Sequence, residues 1–218
     1  MSKPDNPYIN SLPGEEMGDL NASKGWRPPV PATGRDRGAG PFKRLVLRGA
    51  TIIDGTGAPP WGPVDVVIEN DRIAALAGVG ASLDTINQDR RPAAGDFEVD
   101  CHGKFVMPGL VDSHAHIGTP YHSMCGVEPP ADYIYKLWLA HGVTTVREMG
   151  GLNGLGYTMQ QKEASARNEI AAPNILSYAY FPAVNDRVKT IYTPDQARDW
   201  VCKLKNRGAD GVKFFGAP

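Results

Sequence analysis

The sequence is short of cysteine, of net charge and of long apolar runs, and each shortage closes off a class of protein. Its three cysteines, Cys101, Cys125 and Cys202, are odd in number, far apart and in no Cys-x-x-Cys pair. That pattern argues against a disulfide framework and against a thiolate zinc site, and it predicts a reducing cytoplasm. Twenty-three Lys and Arg balance 24 Asp and Glu, so no field is available to gather nucleic-acid phosphates or an anionic membrane surface. No run approaches the roughly 18 apolar residues of a membrane span, and the polar stretch after Met1 has no signal-peptide core. What remains is an ordinary composition, 41% hydrophobic and 22% charged over 218 residues, which predicts a folded core and small-molecule chemistry.

Residues 1–42 hold seven Pro and six Gly with little periodicity, and read as an extended arm that Trp26 anchors. From residue 43 to 107 the texture changes to short apolar runs. Arg44–Ile53, Val64–Glu69 and Ile73–Ala77 suggest small antiparallel β structure, the last two meeting at Asn70-Asp71, and Phe97–Val99 and Lys104–Met107 are further strand candidates. From 108 to 218 strand and helix patterns alternate. Leu110–Ile117, Val143–Met149, Asn174–Phe181 and Gly211–Phe215 read as strands. Between them, Ala131–His141 carries a stripe of Ile134, Leu137, Trp138 and His141, and Thr158–Asn168 is helix-compatible. Thr193–Arg207 has Thr193 as N-cap, Pro194 in the first turn, Gln196 completing a capping box and Gly208 past its end, with Ala197, Trp200, Val201 and Leu204 as the buried stripe. Successive βα units of this kind imply a parallel sheet with helices outside, and the length suits about half of an eight-stranded barrel of about 250 residues.

The chemistry concentrates in Val106-Met-Pro-Gly-Leu-Val-Asp-Ser-His-Ala-His-Ile117. His114 and His116 are two apart, so on a strand both imidazoles leave the same face and are placed to share one metal ion. Asp112 has the same parity and is a candidate to accept a ring N–H and fix a tautomer. The bare pair equally suits packed polar residues.

The wider pattern resembles the amidohydrolase superfamily of metal-dependent hydrolases, and within it the imidazolonepropionase and dipeptidase-like amide hydrolases. The resemblance is carried in order by Gly49-Ala-Thr-Ile-Ile-Asp-Gly-Thr-Gly57, Asp71-Arg-Ile73, the His114/His116 stretch, Gly142-Val-Thr-Thr-Val-Arg-Glu148 and Gly208-Ala-Asp-Gly-Val-Lys213. It implies an α/β fold, the N-terminal half of a (β/α)8 barrel comprising strands 1–4, preceded by part of a small β-sandwich. It also implies His114 and His116 as metal ligands and Lys213 as a carboxylated lysine whose carbamate bridges two divalent ions, zinc first among them. A solvated Lys213 at a strand end is the bland alternative. In this setting Glu148 and Arg147, ending the second strand, are expected around the ligands rather than on the metal. Tyr121 and His122, in the segment after the first strand, are candidate substrate contacts.

The implied activity is hydrolysis of a C–N amide bond in an acyl amino acid, dipeptide or cyclic amide by metal-activated water. The family's remaining ligands, two His and an Asp from later strands, are absent from these residues, so a complementary C-terminal half is an expected partner, within a homo-oligomer. A mononuclear deaminase with unmodified Lys213, and a non-catalytic scaffold or regulatory subunit, are the alternatives. Neither nucleic acid nor membrane is an expected partner.

Overall fold

The computed structural model describes residues 38–82, 85–117, 131–150, 154–181 and 191–214. The arm expected over 1–42 lies outside them up to residue 37. The chain divides into two compact units, one spanning Gly38–Gly109 and the other starting its described part at Leu110.

In the first unit, β1 (Arg44–Ile52), β2 (Trp61–Glu69), β3 (Arg72–Gly78) and β4 (Phe97–Asp100) form a sheet in the order β3-β2-β1-β4, and the short β5 (Phe105–Val106) also pairs with β1. The β1–β2 and β2–β3 pairs are antiparallel, whereas β4 and β5 run parallel to β1. The antiparallel expectation, made for the first three strands, holds, and the two further strand candidates join parallel to β1. Parallel neighbours need a long return path, and the segment between β3 and β4 supplies it. Asn70, with φ 56°, turns the β2–β3 hairpin.

One bulge organises this sheet. Leu47 pairs with Val66 but Ala50 pairs with Val64, so β1 carries an extra residue. Gly49 sits there at φ 71°, a conformation that costs other residues a steric penalty. Its N–H, turned out of the ladder, donates to Asp65 Oδ1 at 2.7 Å. Asp65 is fully buried on β2, and its other oxygen accepts from Arg48 Nη1 at 2.8 Å. Arg48 in turn grips Glu98 on β4 through both Nε and Nη2, at 3.2 and 2.6 Å. That hydrogen bonding is the main cause holding the Glu98 carboxyl below its ordinary range and raising the Arg48 guanidinium. The apolar layer below consists of Ala50, Ile52, Val64, Val66 and Cys101.

The second unit is a four-stranded sheet in chain order: β6 (Leu110–Ala115), β7 (Val143–Met149), β8 (Asn174–Phe181) and β9 (Gly211–Phe214), all pairs parallel. Helices α1 (Ala131–Ala140), α2 (Leu155–Ala166) and α3 (Pro194–Asn206) lie in the connections. This is the βα repeat expected of barrel strands 1–4. Ala115, Ile117, Val146 and Ile175 point to one side of the sheet and pack with Tyr135 of α1.

The α1 stripe differs from the sequence reading. Ile134 and Tyr135 are buried, while Leu137 is 46% exposed and His141 is also exposed. Tyr135 takes the inner position because its ring fills the core while its hydroxyl donates to Gln161 Oε1 of α2 at 2.9 Å. On α3, Leu204 is buried and Val201 is 39% exposed. The α3 cap forms as expected at Thr193, whose Oγ1 accepts from Gln196 N–H; the Gln196 side chain reaches back one residue further, to Tyr192 N–H. Gly208, at φ 91°, ends the helix.

Removing one partner of a buried charge pair leaves the other uncompensated. Asp65→Ala is therefore expected to cost about 3–5 kcal/mol in a urea titration. Glu98→Gln, at a half-exposed carboxylate, is expected to shift the midpoint far less.

Candidate active site

The site is built from the β6 end upward. Pairing of β6 with β7 is irregular: Asp112 lies opposite Val146, yet Ala115 lies opposite Glu148, three residues against two. The simple alternation that put Asp112 on the face of the imidazoles is interrupted here. Asp112 Oδ1 accepts the backbone N–H of His114 at 3.0 Å, so this carboxylate is engaged with the strand's own backbone. Beyond the irregularity, Ala115 and Ile117 are buried against the helices at 3% and 2% exposure. His114 and His116 alternate with them onto the opposite face.

Their rings meet edge to face, with centroids 5.2 Å apart and planes 69° apart. Two imidazoles on one tetrahedral ion, each with its nitrogen at about 2.0–2.1 Å, have centroids about 5 Å apart. The donor pair therefore fits a shared metal. His116 Nδ1 stands 3.2 Å from Glu148 Oε1. The Glu148 carboxylate is fully buried on β7 and also accepts the Ile117 N–H through Oε2. An ionised carboxylate only accepts, so it requires the proton on Nδ1 and leaves the Nε2 lone pair for a metal. Beneath it, burial pushes the Tyr135 and Tyr157 phenols up, with the Glu148 charge adding to the effect. Both stay neutral beside the carboxylate.

On β8, Ile175, Ser177 and Ala179 are buried towards the helices, so Leu176, Tyr178 and Tyr180 occupy the other face. Register carries that face onward: Tyr178 lies opposite Gly211 and Tyr180 opposite Lys213. Lys213 thus shares the helix-free face with the His pair, as the strand parity requires. On β7 the same face bears Arg147, its guanidinium carbon 4.4 Å from the Tyr178 ring centroid. Asp210 seats β9 at its start. Its Oδ2 accepts the Ser177 N–H at 2.7 Å and Lys162 Nζ at 2.6 Å, tying the strand to β8 and α2.

Tyr178, against Arg147, and Asp210, at the start of β9, were not singled out by the sequence reading. Alternation along β8 was the available signal for Tyr178; Asp210 gave none beyond its place in the Gly208–Lys213 stretch. Tyr121 and His122 lie outside the described residues, as does Cys125. Among the described residues no three His, Cys, Asp or Glu side chains converge as a metal-binding group, and no helix is long and apolar enough to cross a membrane.

No protein-family model matches the chain. A D-hydantoinase from Streptomyces coelicolor is 37% identical over 82 residues, covering 36% of this chain and 15% of that protein. An adenine deaminase from Bacillus pumilus is 26% identical over 129 residues, 56% of this chain and 19% of its own length. Among solved structures, one from Bifidobacterium longum described as a prolidase candidate superposes with a TM-score of 0.55 at 23% identity, over 82% of this chain and 42% of that one. The chain thus spans less than half the length of these proteins.

A methyl group at Gly211 would collide with the Tyr178 ring. Gly211→Ala is expected to cost about 1–3 kcal/mol by overpacking. Pairing it with Tyr178→Leu should recover part of that loss, which a double-mutant denaturation cycle reads directly.

Proposed function

The chain belongs to the amidohydrolase superfamily, and on that premise we propose that it forms the N-terminal part of a metal-dependent hydrolase cleaving a C–N amide bond in a small molecule. The observation that carries this reading is the orientation of His116 by buried Glu148 beside His114, on the face that also bears Lys213. A tautomer fixed with Nε2 free is what a ligand imidazole needs and what a merely packed histidine does not.

His114, His116 and Lys213 would hold two divalent ions, zinc suiting the donors best and manganese, iron or nickel being accommodated by the same set. Lys213 would contribute as a carbamate: neutral Nζ adds to carbon dioxide and releases a proton, giving two oxygens in place of one amine. When bound, such a pair of ions polarises the scissile carbonyl and makes water acidic enough to attack at neutral pH. Glu148 keeps His116 in register throughout, because its second oxygen is pinned to the Ile117 backbone. Asp210 holds the β9 backbone from which Lys213 projects.

The reading requires donors beyond β9. β6 and β9 are the outer strands of this sheet. Leu110 and Val111 on β6 and Phe214 on β9 are 51%, 60% and 67% exposed. An open parallel sheet with apolar outer strands calls for closure, and a complementary C-terminal half, in the same polypeptide or a second one, would supply both the missing strands and the missing ligands. A lysine on the ligand face favours the binuclear amide hydrolase over the mononuclear deaminase, which has no use for one there.

Metal analysis of the purified assembly tests this. Two divalent ions per site, loss of amide hydrolysis with a chelator and its return with zinc are expected; an assembly that binds no divalent ion overturns the proposal. Glu148→Gln should lower metal affinity about 10–100-fold while the fold persists. Lys213→Ala should reduce the count from two ions to one.

A further inference from the structure

Arg147 is the one half-buried arginine among the described residues whose charge has no carboxylate. Arg44 pairs with Glu69, Arg48 with Asp65 and Glu98, and Arg91 with Asp65. Arg147 has the Tyr178 ring against its guanidinium and no ion pair, and its Nε is buried without a hydrogen-bond partner. Orphaned Nε atoms occur on Arg44 and Arg91 too, but there the charge is met. A guanidinium cannot answer desolvation by losing its proton, so an unpaired one facing inward is poised for an anion.

Geometry says where that anion would lie. Stacking on Tyr178 uses one flat side of the guanidinium and leaves its in-plane N–H groups to form the two-pronged contact that carboxylates accept. Arg147 stands on β7, between the His pair on β6 and Lys213 on β9, all on one face. A molecule with its scissile bond at the His pair would therefore present neighbouring atoms to Arg147. A single positive charge matches a carboxylate monoanion better than a phosphate dianion.

We infer that Arg147, held by Tyr178, binds a free carboxylate of the substrate, which makes the substrate an N-acyl amino acid or dipeptide in place of a neutral cyclic amide or purine. The inference deepens the hydrolase reading and rests on it for turnover, but binding can be measured without turnover.

The test uses the purified assembly and two probes that differ only at their carboxyl end, N-acetylalanine with a carboxylate and N-acetylalaninamide with a neutral amide, followed by saturation-transfer NMR and by hydrolysis. Wild type is expected to bind the acid at least about tenfold more tightly than the amide. Arg147→Met should abolish that preference, Arg147→Lys should retain part of it, and Tyr178→Phe should keep it, with circular dichroism unchanged in all three. Equal binding of acid and amide, binding of neither, an acid preference that survives Arg147→Met, or equally effective competition by inorganic phosphate would each overturn the inference. Acid-selective binding without hydrolysis would uphold the Arg147 assignment while overturning the proposed activity, so the two failures are separable.

Discussion

The second unit depends on one buried carboxylate. Glu148 faces the helices in a strand whose neighbours there are apolar, and an isolated charge in that position would be expensive. It is stabilised by the two donors it accepts, the Ile117 N–H and the His116 ring. The arrangement is reciprocal. Glu148 takes up the backbone amide just past β6 and keeps the imidazole from turning. A single side chain thus closes the end of one strand, sets the hydrogen pattern of a ring and neutralises its own burial cost. Aspartate at this position would be one methylene shorter, and reaching both donors from the same backbone would require β6 and β7 to draw together.

A second network does comparable work in the first unit with no bearing on chemistry. Asp65, Arg48 and Glu98 link β2, β1 and β4 around the Gly49 bulge. The same physical requirement governs both places. Where a strand departs from regular pairing, a buried carboxylate collects the stranded N–H, and a positively charged or protonated partner balances it.

Much of the architecture was legible because the strands and helices of the second unit are marked by local signals: β-branched and aromatic residues in β7 and β8, and Thr193, Pro194 and Gly208 around α3. The spacing of the His pair placed both rings on one face, and the surrounding motifs, not the spacing, pointed to ligands. Three features were not legible. The parallel attachment of β4 and β5 to β1 depends on the route of the intervening chain, which residue patterns do not encode. The buried face of α1 followed Tyr135 in place of Leu137, because a hydroxyl partner on α2, 26 residues away, decides which side chain turns inward. Of the two carboxylates expected near the ligands, Glu148 meets the His116 ring while Asp112 accepts the His114 backbone N–H, since an irregular register broke the alternation on which the Asp112 expectation rested. Each miss has a cause distant in sequence.

That irregularity in β6 has a wider consequence. By letting Asp112 and Ala115, three residues apart, answer to the same phase of β7, it shifts the first half of the strand out of step with the imidazoles that follow. Side chains at Leu110 and Val111 are then free to adapt to whatever packs beside them without rotating the histidines out of place. Deleting a residue at this kink would do the opposite, swinging one imidazole into the greasy layer under α1 and an alanine into the open. The kink acts as a clutch between a strand's structural end and its chemical end.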